Sequence, residues 1–277
     1  MLTEVIFVKK KRKKHNAPFV IIAIMLIGVL IYASCRALTI YIPQYYDSKA
    51  FKTIKSDAGI ESVNAGDIIR SETTDLNDNT SLQTTNNNTG LLSLAKKNSD
   101  FSGWLSIEDT DIDYPVMKST EKDPEYYLHR DFNGDYSFSG SLFIGEGCDM
   151  GSDIFVIYGH NMNAGTMFGK LDLYKDPVFA QEHKNIVFQT LSGNHVYRVF
   201  ASFQTKIYRE PTDTFEYYRS IGKLSSEEYD YALKSIRDLS IISLNEAPQN
   251  LQQIMLLSTC SYHTDEGRFV VAAYRIV

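Results

Sequence analysis

The sequence predicts a mainly β domain that is preceded by an N-terminal transmembrane helix. Three features predict this architecture: a long apolar run near the N-terminus, a polar stretch before residue 91, and eight short strand-like runs after it. The chain has 277 residues, and with 43% hydrophobic and 12% aromatic residues it can build a substantial core. We expect a cytoplasmic basic tail at 1–16, a membrane anchor at 17–35, a stem and tether at 36–90, and a globular domain at 91–277.

The apolar run from Ala17 to Cys35 has the length of a membrane-spanning helix. It carries no charge, and at about 1.5 Å per residue it spans about 28 Å, close to the hydrocarbon thickness of a bilayer. The basic run Lys9–His15 precedes it, and the positive-inside rule keeps such a run in the cytoplasm. These segments predict a single-pass membrane protein whose N-terminus is cytoplasmic and whose globular domain is extracellular.

Cleavage of this segment is the alternative to an uncleaved anchor. A signal peptide has a shorter apolar region and a small-x-small cleavage site, which Ala33 and Cys35 supply only loosely. Ala33, Ser34 and Cys35 also resemble the end of a bacterial lipoprotein signal, although Tyr32 stands where a small aliphatic residue is usual. An uncleaved anchor is the favoured prediction.

Charge is distributed unevenly along the chain. The sequence has 28 Lys and Arg against 34 Asp and Glu, but seven of these bases lie in the first 36 residues beside a single acid, Glu4. The remaining residues carry 21 bases and 33 acids, which is a net charge of −12. An acidic body is a poor match for a phosphate backbone, so we expect no nucleic-acid partner.

Residues 37–57 predict a stem helix, because apolar and aromatic side chains recur near the helical period between Leu38 and Tyr46. Pro43 interrupts this pattern, so a kinked or restarted helix is expected. Residues 71–90 are almost wholly Ser, Thr, Asn and Asp, and such a stretch cannot bury enough apolar surface to become ordered. It is predicted to be a flexible tether.

Eight short runs rich in β-branched, aromatic and other apolar residues predict the strands of the domain. They are Trp104–Ile107, Tyr114–Met117, Ser141–Ile144, Ile154–Tyr158, Ile186–Leu191, His195–Phe203, Gln253–Leu257 and Arg268–Ile276. Eight strands with few helices indicate a closed barrel or a sandwich. One helix is clearly signalled, since Ser225 and Glu228 form a capping box before an apolar stripe that ends near Asp238.

Three widely spaced cysteines, Cys35, Cys148 and Cys260, cannot form a disulfide framework and lack metal-ligand spacing. Cys260 follows the apolar run that ends at Leu257, and a thiol at the exit of a buried strand can be held rigidly at a cleft, as a nucleophile requires. Free cysteines are more often small buried hydrophobes, and we interpret Cys148 as a non-catalytic thiol.

His160 and Arg268 also occupy the ends of predicted strands. His160 follows Gly159 at the end of one run, and an imidazole is the usual partner of a catalytic thiol because its pKa lies near physiological pH. Arg268 begins the last run, so an antiparallel turn would bring it beside Cys260, where a guanidinium could stabilise an oxyanion. Each residue alone is more often structural. His263 is an alternative base, but its side chain is expected to point away from Cys260.

Together these segments resemble the sortases, and most closely the class B branch. The resemblance rests on Leu257–Cys260, Tyr158–Met162 and Gly267–Val271, in the family's order of His, Cys and Arg, and it spans most of residues 91–277. The helix predicted at Ser225–Asp238 is similar to a class B insertion. The resemblance implies an eight-stranded sortase-type β-barrel with peripheral helices.

The resemblance also implies a membrane-anchored cysteine transpeptidase of a Gram-positive surface. Cys260 would attack the sorting-motif peptide of a secreted protein to form a thioester, His160 would transfer protons, and Arg268 would stabilise the oxyanion. An amine from a peptidoglycan precursor or a pilin lysine would then accept the acyl group. By the same resemblance Ser258, Thr259 and Tyr158 contact the substrate or the imidazole; strand-end hydrogen bonding and core packing are their structural alternatives.

Three other functions stay open from the sequence: a pilin-polymerising class B sortase, a membrane-tethered cysteine peptidase that uses water, and a non-catalytic wall-binding module. No cofactor is expected. The clustered acids Glu108, Asp109, Asp111 and Asp113 could suggest calcium, since that ion takes oxygen ligands. They lack the spaced glycine of a calcium loop, so a solvated acidic turn is favoured and no metal site is predicted.

Overall fold

The computed structural model describes residues 17–73, 80–119, 122–210, 212–244 and 252–277. The chain divides into two units, Met1–Ile42 and Pro43–Val277. The predicted basic tail at 1–16 lies outside the described residues.

Helix α1 runs from Ala17 to Ala58. From Phe19 onward it is long and apolar enough to cross a membrane, and its apolar side chains up to Tyr32 are exposed. Pro43 lies inside this helix, so of the two outcomes expected there, a kink or a restart, the restart does not occur. Packing explains why the helix continues, because Phe51, two turns after the proline, is buried in the main core of the second unit.

Eight strands form a closed barrel, in the spatial order β1-β2-β3-β4-β7-β8-β6-β5. Their bounds are β1 Phe101–Ile107, β2 Asp113–Met117, β3 Leu142–Ile144, β4 Ile154–Tyr158, β5 Asn185–Thr190, β6 Gly193–Lys206, β7 Ile254–Cys260 and β8 Gly267–Arg275. Each predicted run corresponds to one strand, so the predicted barrel is confirmed. β2 with β3 and β4 with β7 pair in parallel, and the other neighbours are antiparallel.

The central strands are apolar on both faces. Ile154–Ile157 of β4 and Ile254–Leu257 of β7 are fully buried, which explains why these runs do not alternate with polar residues. Helix α5 (Ser226–Leu239) adds Tyr229, Ala232 and Ile236 to the same core. Its predicted capping box is present: the Ser225 hydroxyl accepts from the Glu228 amide, and the Glu228 carboxylate accepts from the Ser225 amide.

Helices α2 (Ala65–Thr73) and α3 (Thr80–Lys97) lie in the region predicted to be stem and tether, and α4 (Pro177–Glu182) lies between β4 and β5. The structure gives residues 80–90 as helix rather than as an irregular tether; residues 74–79 of that stretch are outside the described part. Leu91 and Leu94 are buried, and a helix nucleated by such packing extends into the residues before it. The compact unit therefore begins well before residue 91.

Candidate active site

Strand register brings the ends of β4, β7 and β8 to one edge of the barrel. Cys260 and Arg268 are directly opposed across the antiparallel β7–β8 pair, and opposed residues point to the same face. In the parallel β4–β7 pair Tyr158 is opposite Ser258. His160 follows Tyr158 by two residues, just past the end of β4, and Cys260 follows Ser258 by two residues at the end of β7. The sequence separates His160 from Cys260 by 100 residues, and this parallel pairing removes that separation.

One cavity of about 570 Å³ at this edge is lined by all three predicted catalytic residues. Its apolar wall includes Leu128, Phe143, Ile207 and Ile221, and its acidic groups are Glu125, Glu146 and Glu266. An apolar cleft with a few convergent polar groups is the usual form of a site that binds an extended small ligand or peptide. The cavity therefore combines a binding surface with groups able to perform acyl transfer.

The thiol of Cys260 is exposed, and the backbone around it is hydrogen-bonded to the residues that follow β4. The Asn161 side-chain amide donates to the Cys260 carbonyl at 2.8 Å, and the Thr259 hydroxyl donates to the Gly159 carbonyl at 2.8 Å. A larger residue at position 159 would have to displace buried side chains, because a Cβ there would lie 2.4 Å from Leu142 and 2.6 Å from the ring of Phe168. The nucleophile candidate thus combines access with a fixed backbone.

Cys148 lies in a different environment. Its sulfur is buried and lies 3.5 Å from both the Gly145 carbonyl oxygen and the Val156 amide nitrogen. Burial raises the pKa of this thiol, which opposes formation of the reactive thiolate. These contacts agree with the interpretation of Cys148 as a non-catalytic cysteine.

The imidazole of His160 is oriented by a backbone carbonyl. Its Nε2 lies 2.8 Å from the Leu128 oxygen, and because a carbonyl only accepts, Nε2 carries the hydrogen and Nδ1 is the basic nitrogen. Burial lowers the pKa of His160; the Leu128 carbonyl opposes this shift and the neighbouring His129 adds to it. The imidazole is therefore neutral near pH 7 and ready to accept a proton.

The guanidinium of Arg268 is held at the same edge. Its side chain is 22% exposed, it donates to the Gly267 carbonyl at 3.0 Å, and it lies 3.9 Å from the Glu266 carboxylate. Glu266 also accepts from Arg209 at 3.3 Å. A guanidinium has five N–H donors in a fixed plane, so these contacts orient Arg268 while using only part of its donor capacity.

The cavity is also lined by Ser258, Thr259 and Tyr158. The side chains of Ser258 and Thr259 are buried, and their hydroxyls have partners inside the protein. The Ser258 hydroxyl lies 2.7 Å from that of Tyr217, and Thr259 is bonded to Gly159 as described above. Burial raises the pKa of Tyr217 to about 12 and raises that of Tyr158 as well. Contact of these residues with a substrate stays a prediction, and strand-end hydrogen bonding explains both hydroxyls.

Several groups at the site had no place in the sequence prediction. Asn161 is adjacent to His160 in the sequence. Its hydrogen bond to the Cys260 carbonyl depends on the parallel pairing of β4 with β7, which the sequence does not reveal. Leu128 and Tyr217 lie in the short 3-10 helices Tyr126–His129 and Tyr217–Arg219, and their sequence carries no signal of a role beside His160 or Ser258. Glu266 has a positive φ of 54° before Gly267, which is a mark of the tight turn into β8.

The predicted acidic turn and the alternative base lie away from this cavity. Glu108 accepts from Asn64, Asp111 pairs with Lys170, and Asp113 pairs with Lys55. In the described ranges no three Asp, Glu, His or Cys side chains come together as metal ligands. His263 is not among the residues that line the cavity, and its Nδ1 lies 3.0 Å from the Ser261 hydroxyl.

Comparisons with known proteins agree with this fold and site. The Sortase domain family matches residues 105–276. The chain is 33% identical over 188 residues to sortase B of Listeria monocytogenes, which covers 65% of this chain and 72% of the relative. A mutant form of Clostridium perfringens sortase B has a TM-score of 0.63 at 26% identity, covering 72% of this chain and 92% of that chain. A sortase B solved in complex with triglycine has a TM-score of 0.60 at 28% identity, covering 68% and 85%.

Proposed function

This chain belongs to the sortase family of transpeptidases, in its class B branch, and from that premise we propose that Cys260 is the nucleophile of a membrane-anchored cysteine transpeptidase. The observation that carries the proposal is the convergence in one cavity of an exposed thiol, an imidazole oriented by a backbone carbonyl, and an oriented guanidinium. Such a set supplies the nucleophile, the proton carrier and the charge stabilisation that acyl transfer needs.

In the first half-reaction the Cys260 sulfur attacks a peptide carbonyl in the sorting motif of a secreted protein. His160 takes the thiol proton through Nδ1, and Arg268 stabilises the negative charge that develops on the carbonyl oxygen. When the C–N bond breaks, His160 gives this proton to the leaving amine. The product is a thioester between Cys260 and the new C-terminus of the secreted protein.

In the second half-reaction an amine attacks the thioester. His160 accepts the surplus proton from the attacking nitrogen, the C–S bond breaks, and the proton returns to the Cys260 thiolate. The related sortase B bound to triglycine supports an amine as the acceptor here. A peptidoglycan precursor or a pilin lysine would supply this amine, while water in the same position would give hydrolysis.

The proposal includes a topology for the full chain. The apolar part of α1 supports a single membrane span at 17–35, and the basic run Lys9–His15 assigns its N-terminal end to the cytoplasm by the positive-inside rule. The domain that carries Cys260 would then face the extracellular side, where secreted proteins and cell-wall precursors meet.

Intact-mass measurement of the full chain in detergent micelles tests the nucleophile. We expect a library of threonine-containing sorting-type peptides to leave an acyl adduct on the wild-type protein and on Cys148→Ala, and no adduct on Cys260→Ala. An adduct that persists in Cys260→Ala would refute the assignment. Adding triglycine should convert the acyl group to an amide product; a product formed only with water would instead indicate a cysteine peptidase.

A further inference from the structure

One face of helix α1, in the part that follows Pro43, is docked against the barrel. Gln44, Asp47 and Phe51 recur three and four residues apart, so their side chains lie on the same face of the helix. Gln44 is buried, and Phe51 is buried in the main core. These residues belong to the same compact unit as His160 and Cys260, and they can therefore be related to the cavity through direct contacts.

The Asp47 carboxylate binds the chain segment 137–141. One of its oxygens accepts from the Ser137 hydroxyl at 2.9 Å and from the Ser139 amide at 3.0 Å. Both serines are buried, so these bonds are shielded from water. Hydrogen bonds to an ionised carboxylate are shorter and stronger than those to a neutral acceptor. Asp47 therefore fixes the segment 137–141 relative to α1.

The segment 137–141 in turn supports the 3-10 helix Tyr126–His129. The amides of Ser137 and Ser141 each donate at 3.0 Å to a carbonyl of this 3-10 helix. The Ser141 hydroxyl donates to the carbonyl of the residue that follows the helix, at 2.9 Å. Three hydrogen bonds thus hold the short helix against the segment that Asp47 binds.

The Leu128 carbonyl of this 3-10 helix lies between the segment and the imidazole. A Cβ on Gly140 would lie 2.2 Å from the Leu128 oxygen, and Gly140 has a φ of 59°, which glycine adopts without strain. The same oxygen accepts the Nε2 hydrogen of His160 at 2.8 Å. Direct contacts therefore run without a break from Asp47 to the imidazole.

The residues that follow His160 are bound by the same face of α1. The Ala164 amide donates to the Gln44 side-chain oxygen at 3.3 Å. The Phe168 amide donates back to the His160 carbonyl at 3.0 Å, so the chain between them forms a loop that closes on the histidine. Helix α1 thus contacts the supports of His160 on two sides.

We propose that Asp47 is a positioning residue for the proton transfers of His160. Its carboxylate fixes the segment 137–141, this segment fixes the Leu128 carbonyl, and that carbonyl holds the imidazole in the tautomer whose Nδ1 is basic. Asp47 is not among the residues that line the cavity, so it acts only through these contacts. The inference rests on the proposed transpeptidase function and adds to it a residue from the helix that precedes the barrel.

Asp47→Ala in the full chain, held in detergent micelles, tests this proposal. We expect the single-turnover rate of Cys260 acylation at saturating sorting peptide to fall by about tenfold to a hundredfold, as for a misplaced catalytic group. The peptide concentration that gives half of the maximal rate should not change, because the binding surface is intact. Asp47→Asn keeps an acceptor oxygen in the same place and should recover most of the rate.

The pH dependence of the acylation rate separates positioning from stability. Only the neutral imidazole accepts the thiol proton, so the rate falls on the acid side at the pKa of His160. The Leu128 carbonyl opposes the lowering of this pKa by burial, so a weaker contact should move the acid limb of Asp47→Ala to lower pH. The neighbouring His129, which also lowers the pKa, is present in both proteins. A protein that is only less stable would unfold earlier in acid, and its limb would move to higher pH or stay in place.

Asp57→Ala is the matched control, because Asp57 is an exposed carboxylate of the same helix, and it should leave the rate and the acid limb unchanged. A wild-type rate in Asp47→Ala would overturn the proposal, and so would a lower rate whose acid limb does not move to lower pH. Should Asp47→Ala fail to fold, Ser137→Ala removes one of the two hydrogen bonds and decides. A smaller fall in rate with the same shift supports the proposal, and an unchanged rate overturns it. Absence of an acyl adduct in the wild-type protein would instead refute the proposed function.

Discussion

Two polar clusters on this barrel use similar groups in opposite ways. In the first, which we call the stem cluster, the Lys55 ammonium contacts both oxygens of Asp113 at 2.7 and 2.8 Å and the Ser62 hydroxyl at 2.8 Å. Trp104 donates its indole N–H to Asp113 at 2.7 Å. The Lys55 side chain is only 13% exposed, so α1, β1 and β2 meet around a charge pair whose partners all belong to the protein.

The second cluster, which we call the catalytic edge after its proposed role, consists of groups that keep capacity for a ligand. Cys260 has an exposed sulfur, His160 uses one ring nitrogen and keeps the other basic, and Arg268 keeps donors beyond its contact with Gly267. Where polar groups have all their partners inside the protein, their interactions stabilise the fold. Where they keep unused donors or acceptors, those groups can interact with a substrate. Variants of the two clusters should therefore fail in different assays.

Arg268 tests the catalytic edge with the largest expected effect. Arg268→Ala should lower the rate of Cys260 acylation by about 10²–10³-fold, since one stabilising contact to the oxyanion is lost. Arg268→Lys keeps the charge but loses the planar fork of donors, and should remain strongly impaired. Single-turnover acylation measures both rates. An unchanged melting temperature is expected for both variants, and full activity of Arg268→Ala would remove the residue from the catalytic set.

Asp113→Ala tests the stem cluster. It leaves the Lys55 ammonium and the Trp104 indole N–H without their acceptor, so the free energy of unfolding should fall by about 2–4 kcal/mol, a drop in melting temperature of about 5–10 °C. Acylation by the folded protein should stay at the wild-type rate. In Lys55→Met/Asp113→Leu, removal of both charges should restore much of the stability. A stable Asp113→Ala protein with impaired acylation would reverse the contrast between the clusters.

His195 supplies a pH test of a group that has partners inside the protein, because its Nε2 lies 3.3 Å from the hydroxyls of Thr190 and Ser192. Burial, assisted by Arg275, lowers its pKa to about 4, while the unfolded chain has an ordinary value near 6.5. Between these values the unfolded state binds the proton and the folded state does not. Stability is therefore full above about pH 6.5 and falls as pH drops towards 4, by about 3 kcal/mol.

The His195 contribution is measured as the difference between the wild-type protein and His195→Gln in thermal unfolding from pH 7 to pH 4. His160 also has a lowered pKa and acts in the same direction, so only the difference between the two proteins isolates His195. Parallel loss of stability in both proteins would show that other groups dominate this range.

Tyr217→Phe has the smallest expected effect. It tests whether Ser258 stabilises the fold, like the stem cluster, or contacts the substrate, like the catalytic edge. It removes the hydroxyl that lies 2.7 Å from the Ser258 hydroxyl directly below the cavity, and should cost about 1 kcal/mol of stability. If Ser258 serves only the fold, the KM for the sorting peptide stays constant. A raised KM together with normal stability would assign Ser258 to the substrate cleft.

Local signals made most of the barrel predictable, and also the positions of three residues at one of its edges, while the catalytic roles of these residues stay a proposal. Apolar runs bounded by turn residues give the strands, and His160, Cys260 and Arg268 stand at strand ends where the family motifs occur. The features that the sequence does not predict are those that depend on tertiary packing. Phe51 and Ile68 look like scattered apolar residues of a stem, and only their burial shows that the compact unit includes them. The carbonyl of Leu128 carries no residue-specific signal at all.

The register of β7 and β8 leaves the length of their connection free to vary. Cys260 and Arg268 are joined by the hydrogen-bond ladder, while the loop 261–266 reverses the chain and its last residue, Glu266, lines the cavity. Its exit is tight, because a Cβ on Gly267 would lie 2.1 Å from the Ser261 carbonyl oxygen, but Tyr262 at its tip is 81% exposed. Residues inserted after Tyr262 would lengthen the interval between cysteine and arginine without moving either, so this hairpin offers a graft point for foreign peptides beside an intact reaction centre.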